Sequence, residues 1–172
     1  MRKKYYLILA VILQCAIIAA VPAPKLFARL TGREITIKTA PVDPYDFLSG
    51  YHVILNYEIS SSDLSAGLQP HENQILYNVL VKGEDDIWHS HSIHTSYPED
   101  VPADAVVMKG KWQGWRRIQY GIEKFFIPEE HRQDIERDLR QNQRQALVDI
   151  KVDRFGNAAL LRLRVDDRAY EY

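Results

Sequence analysis

Beyond residue 33 the chain changes face at every second position. In EITIKTA, residues 34–40, Ile35 and Ile37 alternate with Thr36 and Lys38, the period-two pattern of a half-buried strand. HVILNYEIS, 52–60, repeats the pattern, with Val53, Leu55 and Tyr57 on one face and Ile54, Asn56 and Glu58 on the other. NQILYNVLVKG (73–83), IWHSHSIH (87–94) and AVVMKGKW (105–112) read as further strands. WRRIQYGIEKFFI (115–127) reads as one or two more, bent at Gly121. ALVDIKVDRFGNAALLRLRVDDRAYEY (146–172) closes the chain, with turns at DRFGN and at the DD of 166–167. The polar or proline-rich stretches PVDPYD (41–46), SSSDLSAGLQPHEN (60–73) and TSYPEDVPADA (95–105) are turns and loops.

One segment departs from the period of two. Pro128 suits a first helical position, and EEHRQDIERDLRQN (129–142) follows with acids early and arginines late, as the helix dipole favours. Only Ile135 and Leu139 are clearly apolar there, which predicts a surface helix. About seven or eight short strands and this helix predict a mainly β (α+β) fold, a small antiparallel sandwich or barrel-like domain with one surface helix.

The N-terminus is different in kind. YYLILAVILQCAIIAAVPA, residues 5–23, carries no charge and follows Arg2, Lys3 and Lys4. That is close to the ~20 residues a spanning helix needs, and longer than the ~7–15 residue core of a signal peptide. Positive flanks stay cytoplasmic, so the remainder is expected outside. Tyr5 and Tyr6 are expected at headgroup level. The expected division is 1–24 as basic tip and transmembrane anchor, 25–33 as a short linker or helix, and 34–172 as an extracytoplasmic β domain. Cleavage after Ala23 is the competing reading, but it would place Pro24 just behind the cut.

Charge and cysteine content narrow the classes. The chain of 172 residues has a formal net charge of −1 and no basic stripe, which argues against nucleic acid. The only cysteine, Cys15, lies in the apolar segment, so the domain must hold together by packing without an internal disulfide.

APVDPYDFLSGYHVILNYEIS, KGKW, YGIEKFFIPEE and VDRFGNAALLRLRVDDR together resemble the GDYXXLXY family of bacterial proteins. In the naming motif Gly50, Leu55 and Tyr57 match, while Tyr51 stands where the family has aspartate and His52 where it has tyrosine. Tyr120, Gly121, Glu123 and Pro128 belong to the second stretch. The departure at 51 and 52 favours a structural role for the motif, Gly50 easing the turn and Leu55 and Tyr57 packing inward. The resemblance implies a membrane-attached, periplasmic or otherwise extracytoplasmic domain of unknown biochemical function in the cytoplasmic membrane. It also suggests a polytopic membrane protein as partner, with the bilayer engaged through 5–23.

Chemistry has a few footholds. His89 and His91 are expected on one strand face, where they could share a metal with a third ligand from His71, Glu72 or Glu84–Asp86. Against this stands an ordinary polar strand, and no cofactor is expected. A serine/lysine hydrolase of signal-peptidase type would use Lys124 as base. YGIEKFFIPEE loosely resembles the lysine-bearing strand of those enzymes, but no serine precedes Pro44, and Ser49 lies after it. Asp43, Asp46 and Glu58 are expected to serve turns rather than acid–base chemistry. Trp88, Trp112 and Trp115 are expected in the core, with an exposed platform for an envelope ligand as the alternative. The balance favours a non-catalytic accessory or interaction domain. A metal-assisted or serine/lysine hydrolase and an envelope ligand binder are the alternatives.

Overall fold

The computed structural model describes residues 2–40, 48–49, 52–61, 68–126, 146–165 and 168–172. Helix α1 (Arg2–Ala20) leads into α2 (Ala23–Thr31). The strands are β1 (Arg33–Ala40), β2 (Leu48–Ser49), β3 (His52–Ile54), β4 (Asn56–Tyr57), β5 (Ile75–Lys82), β6 (Trp88–His94), β7 (Val106–Trp112), β8 (Ile118–Gln119), β9 (Lys124–Phe126), β10 (Leu147–Val152), β11 (Ala158–Val165) and β12 (Arg168–Glu171). A 3-10 turn covers Glu58–Ser60.

All the strand pairings described are antiparallel, in three sheets ordered β12-β11-β10-β1-β4, β2-β3-β9 and β6-β5-β7-β8. The mainly β architecture is therefore the one the alternation predicts. Ile35 and Ile37 of β1, Leu76 and Leu80 of β5, Met108 of β7, Phe125 of β9, Ile150 of β10 and Leu163 of β11 meet in one core. The outward face of the first sheet is charged. Asp149, itself buried, accepts from Thr36 Oγ1 at 2.7 Å, Arg162 Nε at 2.6 Å and Arg164 at 2.9 Å, and Arg162 also reaches Glu34 at 2.6 Å.

Two strands end differently from the pattern. Residues 52–60 are not one strand. The chain breaks at Leu55, whose N–H donates to Glu123 O at 2.7 Å, so β3 pairs with β9 and β4 with β1. The alternation survives this corner, with Val53, Leu55 and Tyr57 all buried as the period of two requires. In the 115–127 stretch, a turn runs on to Arg117 with positive φ at Gly114, Trp115 and Arg116, leaving only Ile118 and Gln119 for β8. The expected DRFGN turn joins β10 to β11, with Gly156 at φ +81°.

The N-terminal segment is also divided. Pro22 has no N–H to give and its ring crowds the preceding turn, so the helix stops at Ala20 and restarts at Ala23. No single described helix is long and apolar enough to cross a membrane, whereas Lys4–Ala20 and Ala23–Thr31 together pass by length and composition as a pair bent by 53°. The expected linker at 25–33 is thus largely α2. The predicted helix 129–142, with Pro128 before it, lies outside the described residues, as do Gly50, Tyr51, Asp43, Asp46 and the turn at 166–167.

Candidate functional site

The corner at Leu55 meets the Tyr120–Glu123 segment, and the two exchange hydrogen bonds in both directions. The Tyr57 hydroxyl donates to Ile122 O at 2.5 Å, and the Tyr120 hydroxyl donates to Ile59 O at 2.8 Å. Each tyrosine thus caps a backbone carbonyl of the other's segment. Glu123 Oε1 accepts the Tyr120 N–H at 2.5 Å, closing the turn that Gly121 makes at φ +79°. Asn78 on β5 extends the network: its Nδ2 donates to the Tyr120 hydroxyl at 2.8 Å, and its Oδ1 accepts from Ser90 on β6 at 2.7 Å.

Burial sets the electrostatics. Loss of solvation, aided by the negative charge of Glu123, pushes the Tyr57 phenol well above its usual range. Burial does the same at Tyr120, opposed in part by the Asn78 hydrogen bond. Both phenols therefore remain protonated donors at neutral pH. The structure brings Leu55, Tyr57, Tyr120, Gly121 and Glu123 together; Gly50 and Pro128 lie outside the described residues. Asn78 and Ser90 were missed in the sequence. A buried polar residue at an inward strand position, as in LYNVL, was the available signal.

Beside this clasp lies an open cleft of about 370 Å³, lined in part by Asn56, Ser60, Arg117, Gln119, Glu123 and Lys124. Lys124 is exposed, and Ser60 shares its cleft. Ser49 pairs through its backbone with His52. Trp115, at the tip of the turn carrying Arg117, is fully exposed, whereas Trp88 and Trp112 are core residues. Glu58 forms a surface ion pair with Lys38 at 2.9 Å.

The histidines do not converge. Ser90 faces Leu80 and Ser92 faces Val79, so His91 is the extra residue of a bulge and is exposed. His89 is held by Asp85 at 3.2 Å, which lowers the Asp85 carboxyl below its usual range, and His94 Nε2 meets Ser92 Oγ at 2.9 Å. Among the described residues no group of three or more His, Cys, Asp or Glu could hold a metal ion.

The clasp also touches α2. Lys25 Nζ of α2 donates to Gly121 O at 3.0 Å, and Arg29 donates to Tyr172 O at 3.1 Å. A second groove, of about 210 Å³, runs between α2 and the sheet, with Leu26, Ile122 and Leu160 in its wall.

The family model described as GDYXXLXY protein matches residues 14–163. The chain belongs to the GDYXXLXY family. No curated protein and no solved structure matches it. The matched span of this GDYXXLXY protein begins inside α1 and runs into β11, so it takes in α2, the Leu55 corner and the Tyr120–Glu123 turn. Its naming motif carries Tyr51 and His52 in place of Asp and Tyr, yet Leu55 and Tyr57 hold the contacts just described.

Proposed function

We propose that this GDYXXLXY protein is a membrane-anchored, extracytoplasmic, non-catalytic module that serves a polytopic membrane protein as an accessory or interaction domain. The observation that carries this reading is α1. From Lys4 to Ala20 every residue is exposed, and the helix is apolar around its whole circumference. A helix of that kind needs an apolar phase or a partner around it. The basic tip favours the orientation with the β domain outside. The family tyrosines support a structural motif, since their hydroxyls are spent on the carbonyls of Ile122 and Ile59.

The test is a crosslinking pull-down of the full-length protein from its native membrane, with mass spectrometry of the bound proteins and of the bait's N-terminus. Recovery of one polytopic protein with Met1–Ala23 intact is the expected result. A mature N-terminus near Lys25 with no membrane partner would overturn it.

A second reading, an envelope-ligand domain, is favoured by Trp115. Its fully exposed indole lies on a turn with three successive positive φ angles, and Arg117, two residues on, lines the cleft together with Lys124. The hydrolase alternative has less behind it, because a base lysine needs desolvation and Lys124 is exposed.

A further inference from the structure

We propose that α2 lies in the headgroup layer of an anionic phospholipid bilayer, with Leu26 and Leu30 turned toward the acyl chains, and so holds the β domain at a fixed attitude to the membrane. The inference rests on the anchored reading of α1.

The helix is built to be covered on two sides. Ala28 is completely buried against the domain, where α2 packs on β10 and β11. Leu26 and Leu30, four residues apart, are 56% and 72% exposed; Leu30 stands clear of the domain, and Leu26 leaves more than half of its surface open above the groove it helps to line. A surface helix of a soluble domain turns its apolar stripe inward. Here the best apolar positions are more than half exposed, and α2 carries no acidic residue.

The flanks match an anionic surface. On one side Lys25 and Arg29 are tied down by their bonds to Gly121 O and Tyr172 O. On the other, Phe27 packs on Phe155 at 6.0 Å between ring centres, and Arg154 lies 4.8 Å over the Phe155 ring, which is itself half exposed. An outward leucine face bordered by aromatic rings and cations is the composition of a helix lying in an interface.

Connectivity leaves α2 little choice of place. Only Val21 and Pro22 separate it from α1, a reach of roughly 7 Å. The bend between the helices is 53°. With the ordinary tilt of a spanning helix, about 20°, taken in the same sense as the bend, α2 lies within roughly 20° of the membrane plane.

Nitroxide depth measurements test this on the full-length protein. The native Cys15 reports α1. Leu26→Cys and Leu30→Cys, each in a Cys15→Ser background, report α2, and their exposure means that neither change disturbs the core. Each labelled protein is reconstituted in vesicles of phosphatidylcholine, with and without phosphatidylglycerol. Collisions with oxygen and with a water-soluble nickel chelate are then compared. The expected result is a deep label at Cys15 in both lipids. The labels at 26 and 30 should be shallow but lipid-exposed, with an oxygen-to-nickel ratio about threefold or more above that of a free nitroxide in buffer, and deeper with phosphatidylglycerol. Water-like labels at 26 and 30 with a deep Cys15 overturn the proposal while leaving the anchor in place. Insensitivity of depth to phosphatidylglycerol overturns the anionic requirement. A water-like Cys15 overturns the anchored reading and this inference with it. Spin–spin broadening at position 30 that vanishes on dilution with unlabelled protein assigns the face to a second copy and overturns the lipid contact.

Discussion

Tyr57 concentrates the case at the scale of a residue. Its ring is wholly buried and its hydroxyl fills the hydrogen-bonding need of Ile122 O. Tyr57→Phe keeps the ring and leaves that carbonyl unsatisfied, so a thermal or denaturant melt should show a loss of about 1–3 kcal/mol. Leu55→Ala and Tyr57→Ala should each cost about 2–4 kcal/mol through the cavity they open. A melt unchanged by either would sink the structural account of the motif. The raised phenol pKa values give a pH prediction with a definite sign. A tyrosine whose folded pKa lies above its unfolded value of about 10 contributes stability that is complete below that pH and falls as pH rises beyond it. Alkaline melts should therefore steepen above about pH 10, and Tyr57→Phe should flatten that slope. Much of this was legible beforehand: the inward face of Val53, Leu55 and Tyr57 follows from period two alone. The reciprocal bonds were not, because they join carbonyls to side chains some 60 positions away, and nothing local in a sequence marks a carbonyl that needs a donor.

Turns separate what pattern reveals from what it hides among the elements. DRFGN announced its hairpin, since a glycine at positive φ is needed there. QGWRR concealed its full length, because Trp115 and Arg116 adopt the left-handed region that only the glycine before them advertises. The bulge at His91 was equally silent: a one-residue slip in pairing moves side chains off the face that strict alternation assigns them. Close packing supplies a test at this scale. A side chain at Gly110 on β7 would run into Ile118 Cγ2 of β8 and the Tyr120 ring. Gly110→Ala should therefore destabilise by about 1–3 kcal/mol, as overpacking does, with the β8 amides losing hydrogen-exchange protection first.

For the molecule as a whole, the charged sheet face and the N-terminal helices decide how firmly its parts are joined. Asp149 on β10 gathers Thr36 from β1 and Arg162 and Arg164 from β11. Asp149→Ala leaves two partly exposed guanidinium groups free to rehydrate, so the loss should be modest, about 1–2 kcal/mol in denaturant melts. The broad class and the apolar N-terminus could be read from sequence, because alternation and hydropathy are local signals. The division into three sheets could not, since nothing in residues 52–60 tells the strand to leave one sheet for another at Leu55.

The place of β1 has a consequence for how the chain is made. This strand sits inside the five-stranded sheet, between β4, which follows it closely, and β10, which pairs Ile35 with Ile150. During synthesis one edge of β1 can be satisfied early, but the other waits for more than a hundred further residues. Until β10 and β11 arrive, Ile35 and Ile37 have no finished core to enter, and the open edge is free to pair wrongly. The nascent chain therefore passes through a long window of exposure, and a shortened product lacking β10 should be cleared by proteases rather than accumulate as a smaller folded domain.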